Sequence, residues 1–280
     1  MRNGEWTNEE LDFIKENYKT MAYREMGEKL GRTKTAIDLK VNRLGLKKSK
    51  YHYNKDFFET IDTEEKAYWL GFMYADGWVC VQKTETGNVR QGELGIQLQQ
   101  SDSDHLRKFV KSIDGNIPVF LGDTICAISG NPAKFCLIRI YCTKMVEDLI
   151  KNGCIERKSK CIEFPTLRED LVRHFIRGFF DGDGCVCENK QRKCPRCDFC
   201  CASVKFIEAL RTKLYEFGIS SYICGLNGTQ AALRLVIGGM KNVDMFMHFL
   251  YDDSTIFLDR KRNRFADIYG KYNVLERLPR

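Results

Sequence analysis

The sequence predicts an α+β protein in which a small all-helical unit precedes two pseudo-symmetric halves, each with helices behind a curved antiparallel sheet. Three observations predict this. Residues 1–48 carry helix patterns and no strand pattern, the remainder contains a repeat of itself, and Glu93–Gln99 alternates apolar and polar residues.

A chain of 280 residues is long enough for two or three domains, each burying its own core. Lys and Arg outnumber Asp and Glu by 45 to 38, a formal charge of +7, which permits a polyanionic partner without requiring one. The excess is local. Lys29, Arg32, Lys34, Lys40, Arg43, Lys47, Lys48 and Lys50 stand against Asp38, and a second basic run is Arg260, Lys261, Arg262 and Arg264. The apolar stretches are too short to span a bilayer, and the opening MRNGEW lacks the form of a signal peptide. A cytoplasmic location and no membrane partner are the expectation. Thirteen cysteines, an odd number, are expected there as thiols or metal ligands rather than disulfides.

Thr7 followed by Glu10 forms a capping box ahead of Leu11, Ile14 and Tyr18, which starts a first helix. A second spans about Tyr23–Leu30 and stops at Gly31; a third spans about Thr33–Leu44 and stops at Gly45. Ile37, Val41 and Leu44 form the buried stripe of the third, leaving Lys34, Asp38, Lys40 and Arg43 outward. This is helix-turn-helix arithmetic, and the basic cluster favours a DNA groove, with Lys34, Lys40 and Arg43 as contacts. A trihelical protein-interaction module would show the same stripe. Residues 49–60 have no clear period and read as a linker; residues 61–164 and 165–280 are the two halves.

The repeat matches WLGFMYADG at Trp69–Gly77 with IRGFFDGDG at Ile176–Gly184, so that Asp183 lies 107 positions after Asp76. Downstream, CIERK and FLDRK place Lys261 103 positions after Lys158. Each motif ends an expected helix, the first starting near Asp62 or Thr63 and the second after a capping box of Thr166 and Glu169. Gly71 with Ala75, and Gly178 with Gly182, recur at a four-residue spacing that lets two helix backbones approach closely. If the helices pair in parallel, Asp76 and Asp183 arrive side by side at the negative ends of two macrodipoles, which divalent cations would relieve. All-oxygen ligands select Mg²⁺, Ca²⁺ or Mn²⁺ over zinc. A single aspartate before glycine would merely cap a turn; recurrence in both copies favours the metal site.

These residues resemble the LAGLIDADG homing endonucleases in their single-chain, two-motif form, over about Thr63–Tyr272. The motif glycines are Gly71 and Gly178, the acids Asp76 and Asp183, and the closing glycines Gly77 and Gly184; Trp69, Leu70, Tyr74, Arg177 and Gly182 depart from the pattern. The resemblance implies an αββαββα fold in each half, forming a saddle on duplex DNA. It also implies hydrolytic, Mg²⁺-dependent cleavage across the minor groove of a long asymmetric target by a monomer, with Mn²⁺ substituting and Ca²⁺ binding without supporting cleavage. Ala75 and Gly182 join the two aspartates in the expected metal site. Lys158 and Lys261 are candidate basic residues beside the metals, and Gln100, whose counterpart is Ser203, is a candidate to orient water. Gln97, Gln99, Arg139 and Arg234 are the candidate base- or phosphate-reading residues, the two arginines each six residues before a methionine, Met145 or Met240.

Cys185, Cys187, Cys194, Cys197, Cys200 and Cys201 crowd after the second motif. CPRC has zinc-knuckle spacing, yet Cys197, Phe199 and Cys201 alternate as a buried strand face, so zinc is not expected. Two other functions fit the same scaffold: a DNA-binding regulator that does not cleave, and an intron RNA maturase. A protein-splicing segment is not expected, since the chain neither starts with Cys or Ser nor ends in His-Asn.

Overall fold

The computed structural model describes residues 5–46, 51–85, 87, 89–126, 130–191, 193–226 and 229–273. The chain divides into two compact units, Met1–His52 and Tyr53–Arg280.

In the first unit α1 (Asn8–Asn17), α2 (Tyr23–Leu30) and α3 (Lys34–Arg43) enclose Ile14, Met26, Ile37 and Val41. Thr7 and Glu10 cap α1 reciprocally, α2 stops at Gly31 with φ 63°, and Thr33 caps α3. Arg32, one of the eight basic residues counted between Lys29 and Lys50, is buried. Its guanidinium donates to both Glu10 carboxylate oxygens at 3.0 and 2.9 Å and lies 4.4 Å from the Trp6 ring centroid. Lys34 and Arg43 are exposed and Lys40 is half-buried, 5.6 Å from the same ring. Lys47, Lys48 and Lys50 lie outside the described residues.

The second unit begins earlier than the aperiodic text suggests. Tyr53 donates its hydroxyl to the Tyr141 carbonyl, Asn54 N–H bonds Ile113 at 2.6 Å, and Phe57 and Phe58 are both buried. Residues 53–60 are therefore part of this unit rather than a linker; two adjacent aromatics bury together and leave no period to read.

The first half runs α4 (Glu64–Ala75), β1 (Gly77–Lys83), β2 (Val89–Gln99), α5 (Ser103–Ser112), β3 (Phe120–Ile125), β4 (Pro132–Tyr141) and α6 (Thr143–Lys151). The second repeats it as α7 (Glu169–Asp183), β5 (Gly184–Asn189), β6 (Cys194–Cys201), α8 (Val204–Glu216), β7 (Tyr222–Leu226), β8 (Thr229–Ile237) and α9 (Met240–Tyr251), followed by α10 (Asp259–Tyr272). Each half is thus αββαββα, and the antiparallel sheets have matching orders, β1-β2-β4-β3 and β5-β6-β8-β7. This is the two-half α+β fold that the repeat predicts. One face of each sheet is apolar: Leu94, Ile96 and Leu98 with Cys136, Ile138 and Ile140 in the first, Cys197, Phe199 and Cys201 with Leu235 and Ile237 in the second.

The capping box expected at Thr166 does not form. The helix starts at Glu169 with Arg168 in the cap position, and its guanidinium is held by Asp170 at 2.9 and 2.7 Å and by the Asp62 carbonyl.

α4 and α7 lie against each other in parallel, in the most extensive helix pairing of the unit. A methyl group on Gly71 would collide with the Phe175 carbonyl, one on Gly178 with the Tyr68 carbonyl, and one on Gly182 with the Ala75 methyl. The four-residue spacing of small residues is therefore used for backbone contact, as the sequence predicts. Gly178→Ala should force the helices apart and destabilise this unit by about 1–3 kcal/mol or more. Gly270→Ala in α10, where nothing lies within 4 Å of the added carbon, should be neutral or stabilising by up to about 1 kcal/mol. Thermal unfolding of the two variants measures this; equal melting temperatures would contradict the contact.

Candidate functional site

Asp76 caps the C-terminal end of α4 and Asp183 is the last residue of α7, and each is followed by the glycine that opens a strand. Because the helices touch in parallel, the two carboxyls meet at one end. Asp76 Oδ2 lies 3.3 Å from the point where a Gly182 Cβ would stand. Asp183's pKa is raised to about 6, first by burial and then by the negative charge of Asp76, against the opposing pull of Lys158 and Lys261. Asp76's pKa is likewise raised by burial, against Lys261, Lys158 and Arg260. Asp183 as a residue is exposed, so water screens part of this repulsion.

Both candidate lysines reach the ends of the motif helices. Lys158, in a short 3₁₀ turn before α7, donates to the Gly77 carbonyl; Lys261, in the first turn of α10, donates to the Gly184 carbonyl. Each thus binds the closing glycine of its own motif, a pseudo-symmetric placement that the IERK and LDRK match foretells. Lys261 is buried and also donates to Phe180 O at 2.9 Å and Gly182 O at 3.2 Å, and burial lowers its pKa. Of the other expected metal-site positions, Ala75 and Gly182 face each other across the helix contact.

Gln100 is half-buried and opens the turn Gln100–Asp102 at the end of β2. By strand register it matches Ser203, since Ile96 pairs with Gly77 as Phe199 pairs with Gly184. As the residue preceding the next helix, however, Ser203 matches Asp102, because the turn inserts two residues. Ser203 caps α8 and donates to Ile162 O at 2.6 Å. Asp102 is buried and paired with Arg260 at 3.0 Å, while Gln99 also donates to it at 3.1 Å. Asp102 and Arg260 both act on the Asp76 carboxyl. Sequence reasoning missed this pair, whose members stand 158 positions apart in different halves with no shared motif.

Gln97, Gln99 and Arg139 are exposed on the outer face of the first sheet. Arg139 is 3.1 Å from Glu93, which the Trp78 indole also contacts. Arg234 occupies the outer face of the second sheet, 3.8 Å from Asp198, which Arg196 holds at 2.9 Å. The two arginines are not register equivalents. Ile138 corresponds to Leu235, so Arg139 corresponds to Val236 and Arg234 to Leu137. Both following helices begin five residues after Ile138 and Leu235, at Thr143 and Met240, so the shared six-residue spacing compares the third residue of α6, Met145, with the first of α9, Met240. The crowded cysteines divide between the faces: Cys194, Cys197 and Cys201 are buried, whereas Cys185 and Cys187 face outward with their Sγ atoms 3.2 Å apart. Among the described residues no three His, Cys, Asp or Glu side chains converge as a metal cluster.

Two buried ionic groups brace the site. Asp181, wholly buried, accepts from Tyr68 Oη at 2.8 Å, Tyr251 Oη at 2.8 Å and Leu258 N at 2.7 Å. The Tyr68 proton is used on Asp181, so the His105 Nε2 that lies 3.0 Å from Tyr68 Oη is the donor there, in keeping with a His105 Nδ1 that has no partner. Arg177, one of the motif departures, is also fully buried. It meets Glu64 at 2.6 Å, the Ile256 and Leu250 carbonyls at 2.9 Å, and His174 Nδ1 at 3.0 Å. Burial lowers the His174 pKa to about 4, leaving that nitrogen free to accept.

Two partly desolvated carboxyls at adjoining helix C-termini form an all-oxygen donor set suited to a hard divalent cation, which would neutralise both their repulsion and the helix dipoles. In the metal-free protein the raised Asp183 pKa means the folded state holds its proton more tightly than the unfolded chain. The resulting penalty is absent below about pH 4 and complete above about pH 6. Asp183→Asn should therefore raise the melting temperature in chelator above pH 6 and leave it unchanged below pH 4; a rise that is the same at every pH would contradict the repulsion.

Comparison with known proteins bears on the same elements. Residues 170–249, from α7 through α9, match the model of the LAGLIDADG-like domain. A segment of 131 residues, 44% of this chain, is 31% identical to the probable translation initiation factor IF-2 of Thermococcus kodakarensis, and spans 11% of that protein. The homing endonuclease I-WcaI, solved bound to its DNA recognition sequence, aligns with TM-score 0.51 at 15% identity, over 74% of this chain and 91% of that one. Mesophilic variants of the homing endonuclease I-DmoI align with TM-score 0.48 at 16% identity, over 69% and 98%. The likeness to I-WcaI is one of fold. This chain therefore carries a LAGLIDADG-like domain, set in the two-half fold of the LAGLIDADG homing endonucleases.

Proposed function

We propose that this chain is a site-specific double-stranded DNA endonuclease that hydrolyses phosphodiester bonds with Mg²⁺ held by Asp76 and Asp183. The observation that carries the reading is the convergence of two charge-coupled carboxyls at the ends of touching helices, which is costly unless cations share them. When bound, such cations lower the pKa of water and neutralise charge on the scissile phosphate. Lys158 and Lys261 fix the carbonyls behind the acids and supply positive charge beside them. Gln100, at the end of β2, is in our reading the group that orients water. The outer sheet faces, with Gln97, Gln99, Arg139 and Arg234, would read base edges and phosphates of a long target, asymmetric because the halves differ. Lys34, Lys40 and Arg43 of the first unit would add contacts on flanking DNA, an avidity effect. We further propose that the protein acts as a monomer in the cytoplasm; no described helix is long and apolar enough to cross a membrane.

Incubation with Mg²⁺ and a randomised duplex library tests the mechanism. The wild type should select and cut a defined sequence, and the double variant Asp76→Asn, Asp183→Asn should bind it without cutting. Equal cutting by both would remove the proposed mechanism. Binding without cutting by the wild type would point to a regulator, and tighter binding to structured RNA than to duplex would point to a maturase. Removal of residues 1–48 should weaken DNA binding and preserve cutting at saturating protein, as a gel-based cleavage assay would report.

A further inference from the structure

We propose that Arg264 binds a DNA phosphate at the cutting centre of the second half and that the first half has no equivalent residue. The proposal rests on the nuclease reading above and goes further in making the two centres chemically unequal. Four cations crowd the start of α10, and three of them are committed. Arg260 is paired with Asp102 at 3.0 Å, Lys261 is buried against the Phe180, Gly182 and Gly184 carbonyls, and the Arg262 guanidinium lies 4.5 Å from the Phe257 ring centroid. Arg264 is exposed and, among the described residues, engages no acid, carbonyl or ring.

Its position gives that free charge a use. One turn beyond Arg260, Arg264 lines a recess of about 410 Å³ together with Gly182, Gly184, Cys185, Arg260 and Lys261, so the recess flanks Asp183 on both sides in sequence. No carboxylate lines it. A pocket walled by three cations, of which Arg264 alone is uncommitted, and by glycine backbone, next to the acid pair, fits an anion that must approach the backbone closely. In duplex DNA that anion is a phosphodiester, and a guanidinium binds it with paired hydrogen bonds. In the first half Lys158 lies in a 3₁₀ turn that runs on toward α7, and the position matching Arg264 is Cys161. A thiol there offers no such charge.

The test uses full-length protein and the DNA sequence recovered by selection, carried on a supercoiled plasmid with each strand labelled in turn. Arg264→Gln should slow cutting of one strand by roughly tenfold or more, the scale of losing one charge-stabilising donor, so that nicked circles accumulate while the other strand is cut at the wild-type rate. The charge-matched Arg262→Gln should cut both strands like the wild type. Equal slowing of both strands, or the same defect in Arg262→Gln, would overturn the assignment. Should the wild type cut nothing, the nuclease reading fails by itself, and the salt dependence of binding to the randomised duplex pool decides this one. Loss of a phosphate contact lowers the slope of log affinity against log salt by about 0.9. That drop in Arg264→Gln but not Arg262→Gln supports the site; unchanged slopes remove it.

Discussion

Two helices whose backbones touch must present small residues along a common line, and the rest of this unit follows from that requirement. Gly71, Gly178 and the Ala75–Gly182 pair meet it, and the contact fixes both the parallel sense and the axial register of α4 and α7. Once register is fixed, the residues that terminate the helices have no freedom of their own. Asp76 and Asp183 must converge because each directly follows a member of the touching Ala75–Gly182 pair, and the sheets that start at Gly77 and Gly184 must diverge from the same point.

Convergence of like charge creates a local electrostatic problem that the surrounding protein answers only in part. Lys158 and Lys261 pull both carboxyls toward ionisation, while burial pushes them the other way more strongly. Under the proposed function, the remainder is what bound cations would offset. The answer is also uneven. On one side Arg260 and Asp102 join the surroundings of Asp76; on the other, Ser203 is spent on capping α8 and on the Ile162 carbonyl. Pseudo-symmetry in the fold thus does not extend to the chemistry at the axis.

Much of this was legible in the residues themselves. The doubled motif announced the halves, Thr7 with Glu10 and Gly31 marked helix ends, and the alternation at Leu94, Ile96 and Leu98 gave the inward face of the first sheet. What stayed hidden was long-range or competitive. Arg32 and Arg177 look like surface cations in a one-dimensional text and are buried only because Glu10 and Glu64 fold onto them. Thr166 could have capped α7, but Arg168 with Asp170 offered the chain a different start. The displacement of Arg234 against Arg139 needed the hydrogen-bond register, because the methionines that share their spacing stand at different places in α6 and α9.

Asp181 carries a consequence for evolution and engineering alike. Its carboxylate, planted in the second motif, accepts hydrogen bonds from the Tyr68 hydroxyl of the first motif helix, the Tyr251 hydroxyl of α9, and the Leu258 amide just ahead of the lysine-bearing helix. An interchange of halves with a relative would separate Asp181 from Tyr68 and strand a desolvated charge at the centre of the chimera. Recombination between such chains can therefore succeed only where the tyrosine and the aspartate travel together, so the heritable module here is the helix pair, and each half is a dependent part of it.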